Sequence, residues 1–412
     1  MRILMVNLTD WSGMSGGAQH QLGLFEAFRA AGHELRVLTV GRGECPAMPF
    51  GVREVATIVE DVSRFGLPGN LNTLAQLPAL VAMVLRFRPD VIYSRANTFS
   101  IAVVALGKLL GTRVVLEHNS WLESQRRVGG GSERLAVLER YLQIGASRLA
   151  DASRCVTQGL ADRLIRSGVA EHRLHAIGNG TDCDHFFPIE RARALRQFGL
   201  PEDRHYVGFI GNIMPWHGLT TALEGYAKLA AGNPATDLLI FGDGPGLPPL
   251  ADMARRLGLT DRVRIMGKVP FTAANAAINC FDLAILPLSL RQDIGFGFSA
   301  IKLRDYAAAG RIVLTGLVPG NIELTAEPWL LTHAPDDAAD FASALGVWLD
   351  SQGGDQGHWA HARLQARSYA EQNFAWPRIA ARITDFIGEF DGVRPTPAEA
   401  KAGRLSISAL QS

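Results

Sequence analysis

Gly295-Phe296-Gly297-Phe298-Ser299-Ala300-Ile301-Lys302-Leu303-Arg304-Asp305-Tyr306-Ala307-Ala308-Ala309-Gly310 lies between two short apolar runs, 283–288 and 311–315. Those runs have the length and branched content of buried strands, and the stretch between them is long enough for a loop and one helix. Ser299 reads as the N-cap and Gly310 as the left-handed residue that ends the helix. Strand, helix and strand in this order form a βαβ unit, with its glycine-bearing loop at the carboxyl end of the first strand. Lys302 falls in the first turn, where free backbone N–H groups already carry partial positive charge. A lysine is unfavourable there unless an anion is shared. A phosphate resting on the amides of Gly297, Phe298 and Ser299 removes that conflict. Asp305, three residues on, is a neighbour of Lys302 on the helix surface and can accept from a ribose hydroxyl pair. The plainer alternative is a surface lysine paired to Asp305. Convergence of the glycines and the lysine on one helix end favours the phosphate.

The same grammar recurs on both sides of this unit. Upstream, a strand over 206–210 runs into Gly211-Asn212-Ile213-Met214-Pro215-Trp216-His217-Gly218 and a helix. Strands over 238–241 and 263–266 end in Gly242-Asp243-Gly244-Pro245 and Gly267-Lys268-Val269-Pro270. The amino-terminal half starts alike: a strand over 3–6, then Gly16-Gly17 opening a helix with Leu22, Phe25 and Phe28 on one stripe, then a strand over 34–40. Gly16 and Gly17 allow close backbone approach to a sugar or phosphate, or merely ease a turn. Strands over 91–93 and 114–116 deliver Ser94, Arg95 and Asn97, and Glu117, His118 and Asn119, to the edge where an open parallel sheet binds ligands. His118 there either works on a hydroxyl or is satisfied by its neighbours. The pattern predicts an α/β protein of two doubly wound, Rossmann-like domains. We place the first at 1–188, ending in the turn-rich Asn179-Gly180-Thr181-Asp182-Cys183-Asp184, and the second at 189–375. An amphipathic helix over 376–390 and a loose, proline-bearing tail over 391–412 follow.

The 412 residues exceed one core and suit two domains. A formal net charge of +1 provides no field to hold nucleic acid. Four cysteines, Cys45, Cys155, Cys183 and Cys280, are scattered without metal-ligand spacing and read as reduced thiols of a cytoplasmic protein. Residues 1–6 read as a strand rather than a leader, and no apolar run reaches the ~20 residues of a membrane span.

Four motifs in this order, Asn179-Gly180 with Asp182 and Phe187-Pro188, Gly242-Asp243-Gly244-Pro245, Gly297-Phe298-Ser299, and Asp305 to Gly310, resemble the retaining glycosyltransferases of family 4. The resemblance runs from Met1 to about Phe390. It implies the GT-B fold, two facing Rossmann-like domains with the active site in the cleft, and an acceptor-binding first domain and donor-binding second. It further implies that Asp305 binds the nucleotide ribose and that Gly297, Phe298, Ser299 and Lys302 hold the diphosphate. Lys268 and Val269 would sit by the base, and Gly16 and Gly17 would approach the phosphate from the other domain. His118 would stand beside the transferred sugar, and the final helix would cross back onto the first domain. Two departures stand out. Gly297 occupies a position where members carry a glutamate, and Asn212 and His217 replace an arginine and a lysine. The cationic clamp then reduces to Lys302, helix amides and a protonated His217.

The implied reaction moves a glycosyl unit from a nucleotide diphosphate sugar to a hydroxyl with retained configuration. Acceptors of this kind include lipid-linked glycans, which allows peripheral contact at the inner face of a membrane. Charge building on the leaving phosphate is met by cations and amides, so neither a carboxylate pair nor a metal nor another cofactor is required. Asp182-Cys183-Asp184 spells DxD but sits in a turn. Two alternatives stay open: a GT-B sugar-nucleotide epimerase, with Glu117 and His118 as its acid and base, and a catalytically impaired scaffold that kept the fold.

Overall fold

The computed structural model describes residues 1–8, 11, 16–41, 50–290, 301–351 and 356–389. The segments carrying Gly297, Phe298, Ser299 and the 391–412 tail lie outside the described residues. Two parallel sheets organise the chain. The first contains β1 (Arg2–Val6), β2 (Glu34–Gly41), β3 (Ala56–Glu60), β4 (Val91–Arg95), β5 (Arg113–His118), β6 (Ala152–Cys155) and β7 (Leu174–Ala176), in the order 3-2-1-4-5-6-7. The second contains β8 (His205–Ile210), β9 (Thr236–Phe241), β10 (Val263–Gly267), β11 (Leu283–Leu286), β12 (Val313–Gly316) and β13 (Leu330–His333), in the order 10-9-8-11-12-13. The echo between the halves is therefore topological: both are doubly wound, as expected for an α/β GT-B architecture. In each sheet the winding reverses beside the first strand, between β1 and β4 and between β8 and β11, and a crevice opens there at the carboxyl ends.

Side-chain alternation on the strands decides what reaches that crevice. Tyr93, Val115 and Ala152 face the helix Gly16–Ala30, while Ile92, Val114 and Leu116 face the helices Ser100–Leu109 and Glu133–Leu149. The last described helix, Trp376–Glu389, also belongs to the first of these layers. It buries Ile379, Ala380, Ile383, Phe386 and Ile387, a stripe at helical spacing, against the Gly16–Ala30 helix. Its Trp376 ring occupies the place where a Cβ on Gly23 would stand, 2.1 Å from the indole nitrogen, so the two helices meet only because residue 23 is glycine.

The chain passes between the halves twice, and the two passages are joined. Thr181 N–H donates to Phe374 O at 2.8 Å and Trp376 N–H donates to Thr181 O at 3.2 Å. The helix Ile301–Ala308 buries Leu303, Tyr306 and Ala307 and ends at Gly310, whose φ of +64° is the left-handed turn read from the sequence. The Tyr306 hydroxyl accepts from Ile210 N–H at 3.1 Å, which ties this helix to the end of β8. Lys302 and Asp305 are thereby held at the carboxyl edge of the second sheet.

Candidate active site

A cavity of about 740 Å³ opens between the halves. Gly17, His20, Arg95 and Trp121 line it from the amino-terminal side, and Trp216 and Ile301 from the other.

Next to the cavity-lining Ile301, Lys302, which is not itself among the lining residues, lies along Gly211 at the end of β8. A Cβ at residue 211 would stand 2.2 Å from Lys302 Cε, and the φ of +134° there is itself a glycine conformation. The ammonium sits 3.4 Å from His217 Nε2 and 5.6 Å from the centroid of Phe209. Burial lowers its pKa to about 8, with Asp305 opposing the shift. Among the described residues no carboxylate lies within ion-pair distance of it, so the paired surface lysine is not what forms. His217 corrects a second expectation. Burial first and the neighbouring ammonium next push its pKa down to about 2. The ring is neutral and accepts from Lys302; it adds no positive charge, because a second cation beside an enclosed ammonium is unfavourable.

Asp305 is engaged from the linker: Thr181 Oγ1 donates to its Oδ1 at 2.6 Å. Burial raises its pKa to about 7, against the opposing pull of that hydrogen bond, Lys302 and Arg304. This carboxyl is thus tied to the segment that joins the two halves.

The amino-terminal wall is built differently. Glu117 is fully buried, and both its oxygens are engaged: Oε1 faces His20 Nε2 at 2.8 Å, and Oε2 accepts from the Tyr93 hydroxyl at 2.6 Å and from Arg154 at 2.8 Å. Arg154 continues to the carbonyls of Ile177 and Gly178 and to Asn179 Oδ1. Burial alone would raise the Glu117 pKa, but His20 and Arg154 overcome it and hold the carboxyl well below its usual range.

His118, expected beside the transferred sugar, does not face the cavity. Alternation on β5 puts Glu117 with Val115 on the face covered by the Gly16–Ala30 helix and turns His118 to the opposite face, with Val114 and Leu116. There it is fully buried. Gln143 Nε2 lies 3.1 Å from its Nδ1 and Ser147 Oγ 3.1 Å from its Nε2, and burial lowers its pKa to about 4. It is a neutral ring whose hydrogen bonds are spent inside the domain.

The remaining sequence-selected residues divide. Gly16 begins its helix and Gly17 reaches the cavity. Asn212 is exposed, with Nδ2 3.2 Å from Met214 Sδ. Lys268 is exposed with its ammonium 3.6 Å from Asp243, and Val269 packs against the second core. Gly297, Phe298 and Ser299 lie outside the described residues. Asp182 Oδ1 accepts from the N–H groups of Asp184 and His185, a turn-closing role. Sequence reasoning missed His20, Arg154 and Trp216. A signal existed for the first: His20 lies one helical turn beyond Gly17, on the face that starts at the cleft.

Residues 14–185 match the family model described as Glycosyltransferase Family 4, and residues 204–351 match that of Glycosyl transferases group 1. The chain belongs to the family 4, group 1 glycosyltransferases. Its matches therefore cover both halves of the fold, and it is a transferase. A glycogen synthase of Mycobacterium tuberculosis is 26% identical over 414 residues, covering 92% of each chain. A D-inositol 3-phosphate glycosyltransferase of Mycolicibacterium smegmatis is 28% identical over 243 residues, 56% of this chain and 52% of that one. Among solved structures, Anabaena HepE in complex with UDP superposes with a TM-score of 0.74 at 17% identity, covering 94% of this chain and all (100%) of HepE. WaaG, a glycosyltransferase involved in lipopolysaccharide biosynthesis, gives 0.69 at 16% identity, covering 93% and 99%. These superpositions establish the GT-B fold.

Proposed function

We propose that this glycosyltransferase moves a sugar from a nucleoside diphosphate sugar to a hydroxyl acceptor in the cleft, with retention at the anomeric carbon. The observation that carries the reading is Lys302: an enclosed ammonium with a lowered pKa, facing a neutral histidine, with no carboxylate partner among the described residues. Such a group is stabilised by an anion that arrives with the substrate. As the glycosidic bond lengthens, charge accumulates on the departing phosphate. A cation already in place then lowers the barrier without reorganising. Asp305 receives the ribose, exchanging the Thr181 hydroxyl for a ligand hydroxyl. No metal or other cofactor enters this scheme. The relatives bound to UDP and to UDP-glucose support a nucleotide-sugar donor.

The setting we propose is assembly of a cell-surface polysaccharide or glycolipid at the cytoplasmic face of the membrane. Among the described residues no helix is long and apolar enough to cross a bilayer. The test is a panel of UDP-, GDP- and dTDP-sugars monitored by mass spectrometry. One donor should be consumed with release of its nucleoside diphosphate, and the product should keep the donor's anomeric configuration by NMR coupling. Inversion, or no consumption of any donor, sinks the reading.

A further inference from the structure

We propose that His20 receives a carbohydrate hydroxyl in the cleft through its Nδ1, and that Glu117 positions it for that task. The inference rests on the transfer reading above and adds a contact to it. His20 comes from the second turn of the Gly16–Ala30 helix, lines the cavity and is 3% exposed. Its Nε2 is 2.8 Å from Glu117 Oε1. An ionised carboxylate only accepts, so Nε2 carries the ring proton and Nδ1 is left with a lone pair. Nδ1 is buried and has no hydrogen-bond partner among the described residues. Buried polar atoms are paired in the great majority of cases, and one left open at the wall of a cavity points to a partner supplied by a ligand.

The surroundings keep this ring in one state and one orientation. Burial lowers the His20 pKa, Glu117 opposes this, and Arg154 and Arg95 add to the lowering, so the ring stays a neutral acceptor. Glu117 is itself locked by Tyr93 and Arg154. The edge of the ring meets Trp376 at 5.1 Å between centroids and 66° between planes, which blocks rotation. A core histidine with a purely structural task resembles His118, with both nitrogens engaged inside the domain. His20 has one nitrogen engaged inside and the other buried without a partner among the described residues, on a ring that lines the cleft. The hydroxyl can come from the donor sugar or from the attacking acceptor; the contact has the same chemistry in both cases.

Two variants separate this from a structural role. His20→Gln keeps an N–H for Glu117 but loses the acceptor at the Nδ1 position. His20→Asn keeps an acceptor near that position and loses the Glu117 contact. We expect kcat/KM for nucleoside diphosphate release to fall roughly 10- to 100-fold in His20→Gln and to stay within about tenfold of wild type in His20→Asn. The reverse order, or equal losses tracking a fall in Tm, overturns the proposal. The ¹⁵N resonance of His20 Nδ1, assigned by its loss in His20→Gln, is then followed in the wild-type protein as donor sugars and octyl glucoside are added. Movement with a donor assigns the contact to the donor hydroxyl, and movement with octyl glucoside alone assigns it to the acceptor. A still resonance while a donor is consumed overturns the His20 assignment and leaves the transfer reading standing. Movement with the glucoside when no donor is consumed does the opposite.

Discussion

Glu117 and Asp305 are carboxyls of the two halves, one beside the cavity-lining His20 and the other on the helix of the cavity-lining Ile301, and their surroundings move them in opposite directions. Glu117 is held well below the usual range by His20 and Arg154, whereas Asp305 is raised to about 7 and accepts from the Thr181 hydroxyl. Around Glu117 the charges are matched before anything binds: carboxylate, guanidinium, phenol and the Nε2 side of the imidazole engage one another, and His20 Nδ1 is the atom left over. The carboxyl-terminal half holds an ammonium and a carboxyl that burial penalises and that have only neutral hydrogen-bond partners, His217 and Thr181, among the described residues. A closed network fixes shape, while an open one leaves free energy to be gained on binding.

The sharpest way to break this contrast is to open the closed side. Arg154→Ala leaves Glu117 buried without its guanidinium and should cost about 3–5 kcal/mol of stability, read from urea unfolding. A loss below 1 kcal/mol would show that the network does not hold the amino-terminal wall. On the open side the effect should fall on turnover. Lys302→Ala should cost about 2–4 kcal/mol of transition-state stabilisation with Tm nearly unchanged; normal kcat/KM would remove it from the reaction. His118→Ala should lower stability by about 1–3 kcal/mol through the unpaired Gln143 and Ser147, while donor hydrolysis per folded molecule stays as in wild type. A selective loss of turnover would return His118 to the chemistry. The smallest effect concerns pH. Asp305 has a folded pKa of about 7 against an ordinary value of 3.8, so the folded state binds the extra proton between these values. Its contribution is complete below pH 4 and is lost as pH rises to 7, on the order of 1–2 kcal/mol after partial screening. Asp305→Asn should flatten that slope in urea midpoints taken at pH 5 and pH 7.5, and a wild type already flat there contradicts the raised pKa.

Much of the architecture was legible without coordinates because it depends on local rules. Apolar runs of strand length, Gly310 as a helix stop and glycine turns after several strands determined two parallel, doubly wound sheets. The placing of Lys302 and Asp305 on one helix at a sheet edge followed from helical spacing. What the sequence could not decide is which way each polar side chain faces. Glu117 and His118 are adjacent, and a period of two sends one to the face of the Gly16–Ala30 helix and the other to the face of the Glu133–Leu149 helix; only the pairing of β5 with β4 and β6 and the helices laid on each face settle which. The charge of His217 and the pKa of Asp305 were likewise out of reach, since both depend on the burial and through-space neighbours that packing creates. Local periodicity is written in consecutive residues, but an electrostatic environment belongs to groups that meet only after the chain has folded, such as Thr181 with Asp305 and His20 with Glu117.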